Sequence, residues 1–106
     1  MKFRTGFALV AMMAAATITT AFAQGSGADI YKAKCQNCHG PDGMAGSGVG
    51  KAMKVKPAAD PEVRKQSEEA MIQAVRNGAG KMQSYKSSLT DAQIKDSVDY
   101  FRMFIK

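Results

Sequence analysis

The sequence contains few of the residues that build structural metal sites and disulfides. Among its 106 residues there is one histidine, His39, only two cysteines, Cys35 and Cys38, and no tryptophan. A structural zinc site takes four ligands, and the chain offers only these three of the Cys and His type. A disulfide between Cys35 and Cys38 would close a very small loop and would restrict the unfolded chain little. A structural zinc site or a stabilising disulfide, both common in small domains, is therefore not expected.

Charged residues are also missing from one stretch near the N-terminus. After Lys2 and Arg4, the segment 7–20 is apolar and uncharged, and it is followed by Ala21, Phe22 and Ala23. A positive start, a short apolar run and small residues are typical of a secretory signal peptide, here cleaved after Ala23. The alternative is an uncleaved transmembrane anchor, for which the run is short. We expect residues 1–23 to be a cleavable signal peptide of an exported, periplasmic bacterial protein without stable membrane insertion.

The expected mature chain, residues 24–106, is one small domain. Domains of this size bury a modest core and usually depend on an additional stabilising group. In this chain that group has to be something other than a disulfide or zinc. Removal of Lys2 and Arg4 leaves 13 of the 15 basic residues against 9 acidic ones. Because the acidic residues are interspersed, there is no continuous basic patch, and nucleic acid is not an expected partner.

Strand patterns are absent from the mature chain, whereas helix start signals are clear. The segment 40–61 is rich in glycine and proline and predicts a loop, in which Asp60 and Pro61 could open one short helical turn. The last helix begins with a capping box of Thr90 and Gln93. The other two predicted helices, with their N-caps, are about Gly27 to Asn37 with Ser26 and about Glu68 to Asn77 with Ser67. The domain should be mostly helix and loop.

The motif that carries chemistry is C-x-x-C-H, formed by Cys35, Cys38 and His39 at the end of the first helix. Spacings of three and four residues place side chains on one helical face. Two thiols can therefore bind the two vinyl groups of one porphyrin while the imidazole reaches its iron. The alternative is a thiol-redox pair, but a thioredoxin-like site needs a βαβ pattern, which is absent. We expect one covalent haem c, whose apolar ring also supplies the missing core.

A second axial ligand has to be a weaker donor, because the chain has no other histidine. Met44 is so near His39 that the chain would be strained in passing the porphyrin rim. Met53 is expected to line the pocket. Met71 lies on one predicted helix and Met103 near the end of another, where core or surface roles are common. Met82 lies in a glycine-containing loop that can approach a flat ring closely, and we predict it as the ligand. The methionines compared are Met44, Met53, Met71, Met82 and Met103.

These residues resemble the class I cytochrome c family, and specifically its small exported bacterial members, over essentially all of Gly27 to Ile105. C-x-x-C-H matches the haem attachment site, and Gly80, Lys81 and Met82 with Tyr85 match the family's Met-ligand loop. Gly27 and Tyr31 look like the glycine and aromatic of an N-terminal helix that crosses the C-terminal helix, at Tyr100 or Phe101. Gln83 stands where the family often has proline, which implies a less rigid loop. The resemblance implies an all-α cytochrome c fold, with three to four helices and loops wrapped around one covalent haem.

The same resemblance implies a soluble, monomeric electron-transfer protein and not an enzyme. It would shuttle single electrons between respiratory redox partners through a haem with His39 and Met82 as axial ligands. The alternatives are a haem peroxidase and a haem-based ligand sensor, both of which need an open or labile sixth position. Lysines flank the segments expected around the haem edge and could attract acidic surfaces of membrane or periplasmic oxidoreductases, although they could equally serve solubility. These lysines are Lys32, Lys34, Lys81 and Lys86.

Overall fold

The computed structural model describes residues 26–105, so the predicted signal peptide lies outside the described residues. The first helical run has three consecutive parts, and four further helices follow. None of the helices in this part of the chain is long and apolar enough to cross a membrane. The elements are α1 (Gly27–Ile30), a π-helical segment (Tyr31–Cys35), α2 (Gln36–His39), α3 (Gly48–Ala52), α4 (Pro61–Arg64), α5 (Glu68–Asn77) and α6 (Asp91–Arg102).

Side-chain caps explain where the helices begin. The Ser26 hydroxyl accepts the Asp29 backbone N–H, and the Ser67 hydroxyl accepts that of Ala70. Thr90 and Gln93 form the predicted capping box, in which each side chain accepts the other residue's backbone N–H. Each cap satisfies a backbone donor that the first turn of a helix leaves free. The three predicted helix starts and the short helical turn at Pro61 are confirmed.

The first and last helices cross, as expected for the cytochrome c fold. At the crossing, Gly27 lies so close to α6 that a Cβ atom on it would overlap the Asp96 carbonyl oxygen. Tyr31 is buried beside three aromatic rings, with centroid distances of 5.2 Å to Tyr100, 6.3 Å to Phe101 and 5.6 Å to Phe104. Both aromatics that the resemblance offered, Tyr100 and Phe101, therefore face Tyr31.

A single apolar core lies between the N-terminal helical run, α5 and α6. Val75, Tyr85, Phe101 and Ile105 pack against its margin and are only partly buried. The buried members of this core are Ile30, Val63, Met71, Ile72, Leu89, Ile94 and Val98. Seven such side chains among residues 26–105 are few for a domain of this length, which agrees with the expected need for an additional apolar body.

The segment 48–52 was predicted as loop, and this prediction is wrong because it forms α3. The Ser47 hydroxyl accepts the Gly50 N–H at 2.9 Å and donates to the Asn37 carbonyl at 2.7 Å. A Cβ atom on Gly50 would overlap the Cys38 carbonyl, so the two helices can touch here only through glycine. Tertiary contacts with the N-terminal helical run thus override the poor helix propensity of Gly48 and Gly50.

Candidate functional site

The helices enclose a cavity of about 1020 Å³. Cys35, Cys38, His39 and Met82 all contribute to its wall, so the structure brings the four predicted site residues together. Much of the remaining wall is apolar, including Val63, Met71, Val75, Val98 and Phe101. The volume is at the upper end of small-molecule and cofactor pockets, which run to roughly 1,000 Å³. The cavity therefore has the size and lining for a large, flat, mostly apolar cofactor.

The two thiols are presented by the junction between the π-helical segment and α2. Cys35 ends the π-helical segment and Cys38 lies in the following α-helical turn. Both are free and half-buried. Burial raises the pKa of Cys35 to about 11, and the neighbouring Cys38 thiol adds to the effect. A reactive redox thiol needs a lowered pKa, so the environment of Cys35 does not favour it as a redox nucleophile.

The backbone of His39 accepts a hydrogen bond from the Ala45 N–H at 2.8 Å, and its ring contacts an aromatic side chain. The ring of Phe101 meets it edge-on, with centroids 5.3 Å apart. The next residue, Gly40, is fixed by the Tyr31 hydroxyl, which donates to its carbonyl oxygen at 2.5 Å. Burial lowers the pKa of His39, which favours the neutral imidazole that binds metals.

One ring nitrogen of His39 has no partner. Its Nδ1 is buried and makes no hydrogen bond to any of the described residues. Buried polar atoms in proteins almost always have a partner, so an orphaned one needs an explanation. Because His39 also lines the cavity, a group bound there would give the imidazole a partner, and a metal in that group could be ligated by a ring nitrogen. The residues present therefore fit a haem: two thiols at the attachment spacing, a neutral imidazole beside them and an apolar cavity.

Met82 lies on a tight turn at the cavity wall. Its backbone exchanges two hydrogen bonds with Ala79, at 3.0 Å and 2.9 Å, and Gly80 within the turn has φ +56°. Gly78 has φ +82°, and a Cβ atom on it would lie 2.9 Å from the Met82 carbonyl oxygen. Glycine at these two positions therefore favours closure of the turn.

The other four methionines are arranged differently. Met44 and Met103 are 44% and 72% exposed and lie outside the cavity wall. Met71 is buried in the apolar core and also borders the cavity. Met53 lines the cavity as predicted, and its sulfur lies 4.0 Å from the Cys38 sulfur, beside the attachment motif. Among the five methionines of the described residues, only Met82 combines access to the cavity with a position on a non-helical loop far in sequence from the attachment motif.

Comparisons with known proteins agree with this geometry. The family described as cytochrome c oxidase, cbb3-type, subunit III, matches residues 22–101, which is most of the chain. The chain belongs to this family of c-type cytochrome domains. As a c-type cytochrome it carries a covalently bound haem c, for which Cys35 and Cys38 provide the fitting attachment motif.

Solved structures similar to this cytochrome show the same fold. The c-type cytochrome KustC0563 is 31% identical with a TM-score of 0.70, and the match covers 76% of this chain and 99% of that one. Cytochrome c6C from Synechococcus sp. PCC 7002 is 25% identical with a TM-score of 0.58, covering 74% of this chain and 93% of the other. No curated protein gives a match. The expected all-α cytochrome c fold is confirmed, and the described residues contain no strand.

Basic side chains border the cavity of the cytochrome, and sequence reasoning identified only part of them. Lys34 and Lys81 line it as expected, whereas Lys32 and Lys86 do not. Lys54 and Lys56 line it as well and were not predicted. Lys54 follows α3 with φ +56°, a conformation that is costly for a residue with a Cβ atom. The three lysines of the segment 51–56 are the sequence feature that could have indicated this basic surface. The position of the segment beside the cavity, however, depends on the fold.

Proposed function

We propose that this cytochrome transfers single electrons between respiratory redox partners, with His39 and Met82 as the two axial ligands. The observation that carries the proposal is the placement of both side chains on the wall of one cavity that also holds the two attachment cysteines. When bound, the haem iron supplies a one-electron couple, and thioether ligation favours its reduced form. We further propose that the protein acts outside the cytoplasm after cleavage of residues 1–23.

Both proposed ligands are neutral and are held by the protein independently of oxidation state. His39 is kept neutral by burial, which lowers its pKa, and the Met82 thioether does not titrate. The α2 helix holds the imidazole, and the Ala79–Met82 turn holds the thioether. Because neither ligand needs to gain or lose a proton, little rearrangement has to accompany each electron. This arrangement suits outer-sphere electron transfer.

The lining of the cavity disfavours the two alternatives. A peroxidase usually needs a distal acid or base beside an open iron, and a ligand sensor needs an open position. Among the described residues that line the cavity, no aspartate or glutamate occurs, and His39 is the single histidine. His39 itself belongs to the attachment motif. Among these described residues, proton transfer to a bound peroxide would therefore lack the carboxylate or second histidine that could serve as the distal acid or base.

Optical spectra of the purified holoprotein test the proposed function. We expect the ferric form to show the weak red charge-transfer absorption of a thioether bound to iron, because Met82 occupies the sixth position. We also expect the ferrous form to bind carbon monoxide slowly, since the gas has to displace Met82. Absence of the ferric band together with rapid carbon monoxide binding would support the peroxidase or sensor instead.

The lysines beside the cavity are the proposed docking site for acidic redox partners. Lys34, Lys54, Lys56 and Lys81 border the cavity from both the attachment side and the Met82 side. Positive charge around an electron-transfer site raises encounter rates with anionic partners by long-range attraction. No acidic side chain interrupts this lining in the described residues.

Small redox complexes of opposite charge can measure this attraction without knowledge of the natural partner. In the double variant Lys54→Glu with Lys56→Glu, we expect oxidation by ferricyanide to slow roughly tenfold at low ionic strength. Oxidation by the cationic tris(1,10-phenanthroline)cobalt(III) complex should accelerate. Both effects should shrink as salt screens the charges.

A matched control reverses two charges elsewhere. Arg64 and Lys65 are exposed at the end of α4 and do not line the cavity. The double variant Arg64→Glu with Lys65→Glu has the same net charge as the test variant. Because the two changed residues do not line the cavity, its oxidation rates should stay near those of the unmodified protein. Equal slowing in both variants would mean that total charge, and not the lysines at the cavity, governs the encounter.

A further inference from the structure

Tyr85 connects the segment that carries Met82 with the helix that carries the attachment motif. Its hydroxyl donates a hydrogen bond to the backbone carbonyl of Lys34 at 3.1 Å, across 51 residues of sequence. Lys34 immediately precedes Cys35 and belongs to the π-helical segment Tyr31–Cys35. The bond therefore joins two parts of the cavity wall that are far apart in sequence, and both Tyr85 and Lys34 line the cavity.

The backbone of Tyr85 is fixed on both sides. Its N–H donates to the Val75 carbonyl in α5 at 3.0 Å. Its carbonyl accepts the N–H groups of Ser88 and Leu89, at 3.0 Å and 2.9 Å, at the entry to α6. Its ring packs against the apolar core. Tyr85 is thus a well-anchored residue at the C-terminal end of the Met82 loop.

Met82 itself has weaker support. Its backbone hydrogen bonds go to Ala79 in the same turn, so they fix the shape of the turn but not its distance from the attachment helix. Gln83 follows it, and glutamine does not restrict the backbone as a proline would. The turn can therefore move as a unit unless a contact further along the chain ties it down. Two such contacts follow. The Ser84 hydroxyl donates to the Arg76 carbonyl in α5 at 2.6 Å, and the Tyr85 hydroxyl is the one that reaches the attachment helix.

We propose that Tyr85 is a positioning residue for Met82, and that its hydrogen bond to the Lys34 carbonyl limits how often the thioether leaves the iron. This inference rests on the proposed ligation by Met82. For Met82 to withdraw, its turn has to move away from the wall formed by the N-terminal helical run. The Tyr85 hydroxyl opposes this movement, because separating the two parts of the wall breaks its bond. Loss of the hydroxyl should therefore increase exchange at the sixth position without altering the ligand set.

Imidazole binding to the ferric holoprotein measures this exchange, because imidazole can bind only after Met82 leaves. In Tyr85→Phe, which keeps the ring and its packing, we expect imidazole to bind roughly 5-fold faster. That factor corresponds to about 1 kcal/mol at about 1.4 kcal/mol per tenfold, the size of one ordinary hydrogen bond. The red charge-transfer band should remain in the variant before imidazole is added, and the far-ultraviolet circular dichroism should match that of the unmodified protein.

Tyr100→Phe is the matched control. Tyr100 is a half-buried tyrosine of α6 that packs on Tyr31 and Phe104, and it does not line the cavity. Its variant also loses one hydroxyl, and we expect its imidazole rate to be unchanged. An equal acceleration in both variants, or no acceleration in Tyr85→Phe, would overturn the positioning role.

The charge-transfer band separates this outcome from failure of the proposed function. If the unmodified ferric protein lacks the band, Met82 is not the ligand, and both proposals fall. If the band is present but Tyr85→Phe exchanges at the unmodified rate, the ligation stands and only the positioning role is wrong.

Discussion

Replacement of both Cys35 and Cys38 by alanine is expected to leave the chain largely unfolded. The described part of the domain has a cavity of about 1020 Å³ and a core of seven buried side chains. Without a covalently held haem, the apolar wall of this cavity would face water, and the buried area would be too small to offset the conformational entropy of ordering the chain. Far-ultraviolet circular dichroism should show most of the helical signal lost.

The single variants show whether loss of the covalent haem is what unfolds the chain. Cys35→Ala and Cys38→Ala each keep one cysteine, so each can retain one thioether, and we expect both to fold with reduced stability. Haem-dependent peroxidase staining on a denaturing gel should be strong for the unmodified protein and absent for the double variant. A double variant that unfolds cooperatively on heating would show instead that the polypeptide is sufficient for the fold.

The helix boundaries were predictable where the signal is local. Ser26, Ser67 and Thr90 cap helices through hydrogen bonds to backbone groups three residues later, so the start of each helix can be read from a few neighbouring residues. The failure at α3 has the opposite cause. Its cap, Ser47, and its packing residue, Gly50, both depend on the N-terminal helical run, to which Ser47 binds through Asn37. A segment rich in glycine predicts a loop unless that distant contact is known.

The candidate site also has one part that is encoded locally and another that depends on distant contacts. Cys35, Cys38 and His39 form one local motif, and the glycines around Met82 mark its turn, so these four residues could be named from the sequence. The hydrogen bond from Tyr85 to Lys34 could not be predicted, because a side chain binds the backbone of a residue far away in sequence and no residue type is required of the acceptor. The orphaned Nδ1 of His39 is likewise visible only once the surrounding chain is placed.

Replacement of Met82 by alanine is expected to open the sixth position of the iron and to lower the reduction potential on the order of 100 mV or more, because the thioether that favours the reduced form is lost. The hydrogen bonds of the Ala79–Met82 turn are between backbone groups, so the variant should keep its fold. Carbon monoxide should bind the ferrous variant orders of magnitude faster than it binds the unmodified protein. Stopped-flow mixing and potentiometric titration measure the two effects.

Variants of the other methionines test whether the effect is specific to Met82. Met44→Leu changes an exposed residue outside the cavity wall and serves as the control, with unchanged spectra and potential expected. Met53→Leu and Met71→Leu change the other two methionines that line the cavity, and each keeps a side chain of similar volume. If either of them opened the iron to carbon monoxide while Met82→Ala did not, that methionine would be the ligand. Because Met53 lies beside Cys38 and Met71 lies within the core, whereas Met82 lies on a glycine turn that Tyr85 anchors, we expect the opening in Met82→Ala alone.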